Sequence, residues 1–126
     1  MSKNPLILLC YLLLDVMWIS VNFNTYNEAV ISVQKKGIQF RLVPAFIAYC
    51  LLILNIYFIL IPFTKYIKTM SSRVILFSLS GLVIYGVYNA TTYAIIENYP
   101  LRVALIDTAW GMVSHTLLGL LIEITK

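Results

Sequence analysis

Charge is what this sequence is shortest of. Asp, Glu, Lys and Arg make up 11% of its 126 residues, where soluble domains carry roughly 25%. A soluble domain this small is mostly surface, and that surface would need more polar cover than the chain holds. Histidine is almost missing. His115 stands alone, and no Cys/His pair has the spacing of zinc ligands, so no metal site is expected. The two cysteines, Cys10 and Cys50, both fall in apolar runs. The spans below set them at depths roughly 10 Å apart at the helical rise, beyond the reach of a disulfide, under about 7 Å between Cα atoms. Packing is their expected role. No basic stripe with interleaved aromatics lies outside the apolar runs, so nucleic acid is not expected as a partner. The chain offers no nucleophile–base pair and no phosphate-cradling loop, so no catalytic residue and no cofactor is assigned.

What the chain has instead is apolar residue, 61% of the total, at a mean hydropathy of +0.90. Such a surplus must face lipid, which makes residues 1–126 a single transmembrane domain of all-α class, with the lipid bilayer as its first partner. Pro5 suits a first helical position. The run from Leu6 to Phe23 imitates a signal peptide, but Asp15 ends its apolar core and no small-residue cleavage site follows, so it is expected to be a retained span. Further spans cover 43–63, 74–96 and 101–124, each near the twenty residues a bilayer needs. Phe23, Tyr26, Val30 and Val33 carry helical spacing past the first span, 5–23. Lys35 and Lys36 suit the C-terminus of that interfacial extension, and Gly37 is the residue expected to close it. The turn Glu97-Asn-Tyr-Pro100 is too short for anything but antiparallel neighbours. The expected architecture is a four-helix membrane bundle with an interfacial extension after helix 1.

Four spans put both termini on one face. Lys3, Lys65, Lys68, Arg73 and Lys126 lie there; Lys35, Lys36, Arg41 and Arg102 lie on the other. The positive-inside rule then favours cytoplasmic termini, by five basic residues to four. These scattered bases give the net charge of +4 and can meet lipid headgroups.

Each span carries one small or polar face. On an ideal helix, residues three, four, seven and eleven apart share a face. Tyr11, Asp15, Asn22 and Tyr26 do so in the first run, with Trp18 alongside. Ala45, Ala48, Asn55 and Pro62 do so in the second. Ser78, Gly81, Tyr85, Tyr88, Asn89 and Thr92 form the third stripe. Asp107, Gly111 and Ser114 form the fourth, flanked by Trp110 and His115. Polar groups cannot face hydrocarbon unsatisfied, so these stripes are expected to point inward. Their richest level gathers Asp15, Asn22, Tyr85, Tyr88, Asn89, Thr92 and Asp107 into a cavity in the half away from the termini. Hydroxyls and amides there equally serve as interhelical glue. Intramembrane acids are rare and usually functional, so Asp15 and Asp107 carry the functional expectation. Trp18 and Trp110 read as wall residues. His115 either extends a proton path from Asp107 or bonds a neighbouring helix. Tyr49, Tyr57, Tyr66, Tyr93 and Tyr99 read as interfacial or packing aromatics. Gly86, Ala90 and Ala94, four apart, suit close packing within the bundle or between protomers of a homo-oligomer.

Four groups of residues together resemble a known family of small membrane proteins, domain of unknown function 2177. They are Asp15-x-x-Trp18, Arg41-Leu-Val-Pro44-Ala-x-x-x-Tyr49, Gly81-x-x-x-Tyr85-x-x-Tyr88-Asn89-x-Thr91, and Pro100-Leu through Asp107-x-x-Trp110-Gly111. The last is the most specific. The resemblance implies a four-helix membrane protein and brings no activity with it. The family pattern carries an acid where Asn89 stands and an amide where Thr92 stands, so this chain has one carboxylate fewer. The two Asp-x-x-Trp elements lie in antiparallel spans. They mark either an inverted repeat of the transporter type or a chance match.

Three functions are open at this point. One is a small transport, channel or solute-binding module whose aspartates handle a small solute, a cation or protons. The second is a scaffold or interaction component of the membrane. The third, ranked last, is an intramembrane lipid-modifying enzyme with paired acids.

Overall fold

The computed structural model describes residues 5–126, so Lys3 lies outside the described residues. Among these residues there are five helices and no strand: α1 (Pro5–Val21), α2 (Phe23–Gln34), α3 (Leu42–Tyr66), α4 (Met70–Ile95) and α5 (Leu101–Ile124). By length and hydropathy α3, α4 and α5 each suffice to cross a bilayer, and α1 and α2 pass the same test only as a bent pair, which gives three spans, or four if that pair is one. This is the all-helical membrane bundle that the apolar runs imply.

The break between α1 and α2 bends the chain by 65°. It is built by Asn22, whose backbone N–H and side-chain amide both donate to the Trp18 carbonyl, each at 3.0 Å. Asn22 thus closes one helix while its own carbonyl accepts from Tyr26 and starts the next. After the bend α2 folds over the α4–α5 turn. Ala29 is buried there, and the Ser32 hydroxyl lies 3.2 Å from the Asn98 carbonyl. Gly37 does not close α2. Lys35 does, in the left-handed conformation (φ 62°), its N–H bonded to the Ile31 carbonyl. Gly37 is small for another reason: a Cβ there would sit 3.0 Å from the Asn27 side-chain oxygen, which caps Ile38 N–H.

α3 changes pitch midway. Leu42–Leu54 is α-helical, Asn55–Leu60 forms a π-turn, and the helix ends in a short α segment and a 3₁₀ turn. Pro62 supplies the cause: it has no N–H for the Phe58 carbonyl, and its ring crowds that position. One wide turn, with Ile61 N–H reaching the Ile56 carbonyl, absorbs the misfit. The wide turn also shifts register, which breaks the expected Ala45–Pro62 face. Ala48 stays on the inner side, Asn55 bonds Ser80 of α4 at 3.1 Å, and Pro62 ends up exposed.

α4 and α5 form a tight antiparallel hairpin. Thr69 caps α4 by accepting from Ser72 N–H, and Asn98 takes the left-handed turn position (φ 66°). At mid-hairpin the backbones nearly touch. A Cβ on Gly81 would lie 2.0 Å from the Gly111 carbonyl oxygen, and one on Gly111 would lie 2.1 Å from the Tyr85 ring. Near the termini Arg73 grips Glu123 with two bonds, 2.7 and 3.0 Å, and also donates to the Ile67 and Lys68 carbonyls.

The apolar core occupies the half of the bundle nearer the termini. Ile7 and Tyr11 of α1, Ile56 and Leu60 of α3, Phe77 of α4 and Leu118 and Ile122 of α5 close on one another there. In the other half, none of the described residues Leu42–Leu54 is buried. Cys10 and Cys50 are free and exposed on outward faces, not packed inside as expected. Each belongs to the side of its helix that lacks polar residues, and that side faces lipid. Ala90 and Ala94 are likewise exposed.

Candidate functional site: two carboxylates and a half-bundle cavity

Asp15 sits nearly two turns before the end of α1 and is 6% exposed. Its two oxygens accept from different helices. The Tyr49 hydroxyl of α3 donates to Oδ2, and the Trp110 indole N–H of α5 donates to Oδ1 at 2.9 Å. Asp107 of α5 is arranged in the same way. The Tyr26 hydroxyl of α2 donates to Oδ1 at 2.8 Å, and the Asn89 amide of α4 donates to Oδ2 at 2.7 Å. The Trp18 indole N–H in turn donates to the Tyr26 oxygen at 2.9 Å.

The two Asp-x-x-Trp elements are therefore crossed. Trp110 of one reaches Asp15 of the other, and Trp18 reaches Asp107 through Tyr26. Between them the two indole rings lie flat against each other, centroids 4.5 Å apart and planes 2° from parallel. The crossing needs the 65° bend, because only a turned α2 brings Tyr26 back to Asp107. All four donors to the carboxylates are neutral.

Beside this network lies a cavity of about 520 Å³, with α1, α3, α4 and α5 each contributing to its wall. Asp15, Asp107, Trp18, Trp110, Tyr49, Tyr85 and Tyr88 line it, and Ile19, Ala45, Ala48, Leu51, Leu52 and Ile84 complete the wall. It occupies the half opposite the packed core, where the first part of α3 stands away from its neighbours. The wall is more apolar than the stripes lead one to expect. The alanines of α3 leave the room, and its leucines fill much of the surface.

The remaining site expectations separate by position. Asn22 serves the bend and does not line the cavity. Asn89 stands behind the wall, 1% exposed, its amide shared between Asp107 and the Tyr85 carbonyl. Thr92 bonds the Tyr88 carbonyl of its own helix. His115 is fully buried below the cavity. Its Nδ1 lies 3.0 Å from the Gly111 carbonyl, an acceptor, so Nδ1 carries the proton. Its Nε2 has no partner among the described residues, and the rings of Tyr11 and Tyr85 meet it edge-on at 5.5 and 6.1 Å. Asp107 and His115 are thus on different levels, with no hydrogen bond between them among the described residues. In the α4–α5 turn, burial above all, then the nearby Tyr88 and Asp107, pushes the Tyr99 phenol up from its ordinary value.

Two residues of the network, Tyr26 and Tyr49, were not among the site residues expected from sequence. Tyr49 looks like any interfacial tyrosine, though it closes the Arg41–Tyr49 motif. Tyr26 shares Asp15's stripe but falls beyond the expected bilayer edge.

The family model described as Predicted membrane protein (DUF2177) matches residues 5–122. The chain belongs to that family. No match was found among curated proteins or among solved structures. The match takes in every residue of the crossed carboxylate network, and the family description adds membrane residence and no chemistry.

Proposed function

We propose that this family member is a solute-binding module of the membrane, whose half-bundle cavity receives a small, largely apolar molecule. The cavity carries the reading. Its volume of about 520 Å³ falls among pockets that hold drug-sized ligands, on the order of 300–1,000 Å³. Its wall joins apolar side chains to a few fixed polar groups, as such pockets do. The packed half below it, with Ile7, Ile56, Leu60, Phe77, Leu118 and Ile122, supports a blind site over a continuous channel. With the termini cytoplasmic, as the basic residues favour, the cavity lies in the outer half of the bilayer. Transport would require the packed half to open in turn.

The test fills the cavity. Ala45→Leu adds bulk to its wall without touching a hydrogen bond of the network. Small molecules that co-purify with the wild-type chain are compared by mass spectrometry with those on the variant. The expected result is a species retained by the wild type and lost from Ala45→Leu. Identical retention, together with an unchanged tryptophan spectrum, removes the binding reading. Proton or cation flux through reconstituted liposomes, abolished by Asp15→Asn and Asp107→Asn, would replace it with transport.

One observation favours a second reading, a scaffold or interaction component. Each carboxylate oxygen already accepts a donor, so the acids also serve as interhelical fasteners. On that reading Asp107→Asn keeps assembly, whether as monomer or homo-oligomer, while Asp107→Leu loses it on gel filtration.

A further inference from the structure

Resting on the binding reading above, we infer that the cavity selects an amphiphilic organic cation: a quaternary ammonium group carried on an alkyl chain. Charge comes first. Two carboxylates line the cavity, and among the described residues no Lys, Arg or His does. The ion pairs of the described residues, Arg73 and Lys126 with Glu123, lie at the other end of the bundle. An anion would approach two acids where low dielectric strengthens repulsion. A cation is the complement the site lacks.

Hydrogen bonding narrows the kind of cation. Each oxygen of Asp15 and of Asp107 already takes a donor from a neighbouring helix. A metal ion needs more ligands than the single lone pair left on each of these oxygens supplies, and among the described residues no third acid, His or Cys joins the two. A primary ammonium brings three N–H donors that must each find an acceptor, and the rest of the wall is largely apolar. A quaternary ammonium has no N–H, so it needs only the field of the carboxylates and leaves the four bonds in place.

The walls supply its other requirement. Rings of Trp18, Trp110, Tyr49, Tyr85 and Tyr88 line the same space as the acids. Aromatic faces hold quaternary ammonium groups through the ring quadrupole, most strongly when water is excluded. The Trp110 and Tyr49 rings each donate their polar hydrogen to Asp15, which adds electron density to their faces. Leu51, Leu52 and Ile84 then offer an alkyl chain its apolar wall, and Ala45 and Ala48 offer it room.

The chain carries its own reporter. Trp18 and Trp110 are its two tryptophans, and both line the cavity. Full-length protein in nanodiscs is titrated with decyltrimethylammonium, decanol and decyl sulfate, which share one tail, with empty nanodiscs subtracted. The expected result is a saturable change in tryptophan emission at least tenfold tighter for the cation than for either other probe. Asp15→Asn and Asp107→Asn should each weaken it severalfold. Tyr88→Leu, which removes a ring that is 62% exposed, should weaken it about fivefold and keeps the test valid if the aspartate variants fold poorly. Weaker binding in phosphatidylcholine than in phosphatidylglycerol nanodiscs would identify a lipid headgroup as the natural source of the ammonium. Equal binding would identify a free amphiphile. Decanol binding as tightly as the cation, with no loss in Tyr88→Leu, overturns the cation inference and leaves the cavity reading standing. Saturable binding of none of the three probes overturns both.

Discussion

Gly81→Ala puts one methyl group where the hairpin has no space. The added Cβ would lie 2.0 Å from the Gly111 carbonyl oxygen and 2.8 Å from the His115 Cβ. Ordinary carbon–oxygen contact needs about 3.3–3.6 Å, so α4 and α5 must separate by roughly 1.5 Å at this level. The obstruction is backbone, and no rotamer relieves it. Overpacking of a close-packed site costs about 1–3 kcal/mol, and here the damage spreads. Asn89 and Asp107 sit on the same two helices, 2.7 Å apart, so helix separation stretches their bond as well. The same helix provides the control. A Cβ on Gly86 would meet only the Thr108 methyl group, at 3.6 Å, which is ordinary contact. Thermal unfolding in detergent, followed by circular dichroism, compares the three proteins. Gly81→Ala should melt several degrees below wild type, while Gly86→Ala should melt with it or slightly above, since alanine favours helix. Equal melting of the two variants would refute the close approach on which the α4–α5 geometry rests.

Further expectations follow from the network and the surface. Tyr49→Phe keeps the ring and removes the hydroxyl from Asp15 Oδ2, which should lower stability by about 1–2 kcal/mol, read as a lower melting temperature. Asn89→Asp sets a second acid against Asp107, and two touching carboxylates cannot both ionise. The variant should therefore melt close to wild type at low pH, where one proton is shared. It should lose stability as pH rises and that proton leaves; a melting difference that does not grow with pH contradicts this. Cys10 and Cys50, both outward-facing, should react with a lipid-soluble maleimide in the intact membrane and should not form a disulfide under mild oxidant, as mass spectrometry would report.

The spans and their polar faces were readable because lipid punishes every exception. Asp15 and Asp107 declare themselves in apolar runs, and the glycines of Gly81 and Gly111 sit on the same stripes that close on one another. The crossing of the network was not readable. Tyr26 meets Asp107 across 81 positions of chain and Tyr49 meets Asp15 across 34. Both contacts depend on how helices are placed, which periodicity within one helix does not carry. The 65° turn falls at Asn22, whose backbone leaves the helical region (φ −101°, ψ 15°), and an asparagine in sequence announces neither bend nor direction. In α3 the π-turn ahead of Pro62 moves the helix face, so constant 3.6-residue counting misplaced Pro62. The cysteines show the limit of composition: in a bilayer an apolar residue is as much at home outside the bundle as inside.

The claim beneath all of this is that the two acids face one another's helices, each bonded to neutral donors inside the bundle. Indole N–H resonances of the ¹⁵N-tryptophan-labelled protein test it most directly, because Trp18 and Trp110 give two signals. Asp15→Asn should shift the Trp110 signal strongly and the Trp18 signal little, Tyr26→Phe should do the reverse, and both N–H protons should exchange slowly with water. Two fast-exchanging indoles, neither moved by either substitution, would contradict it.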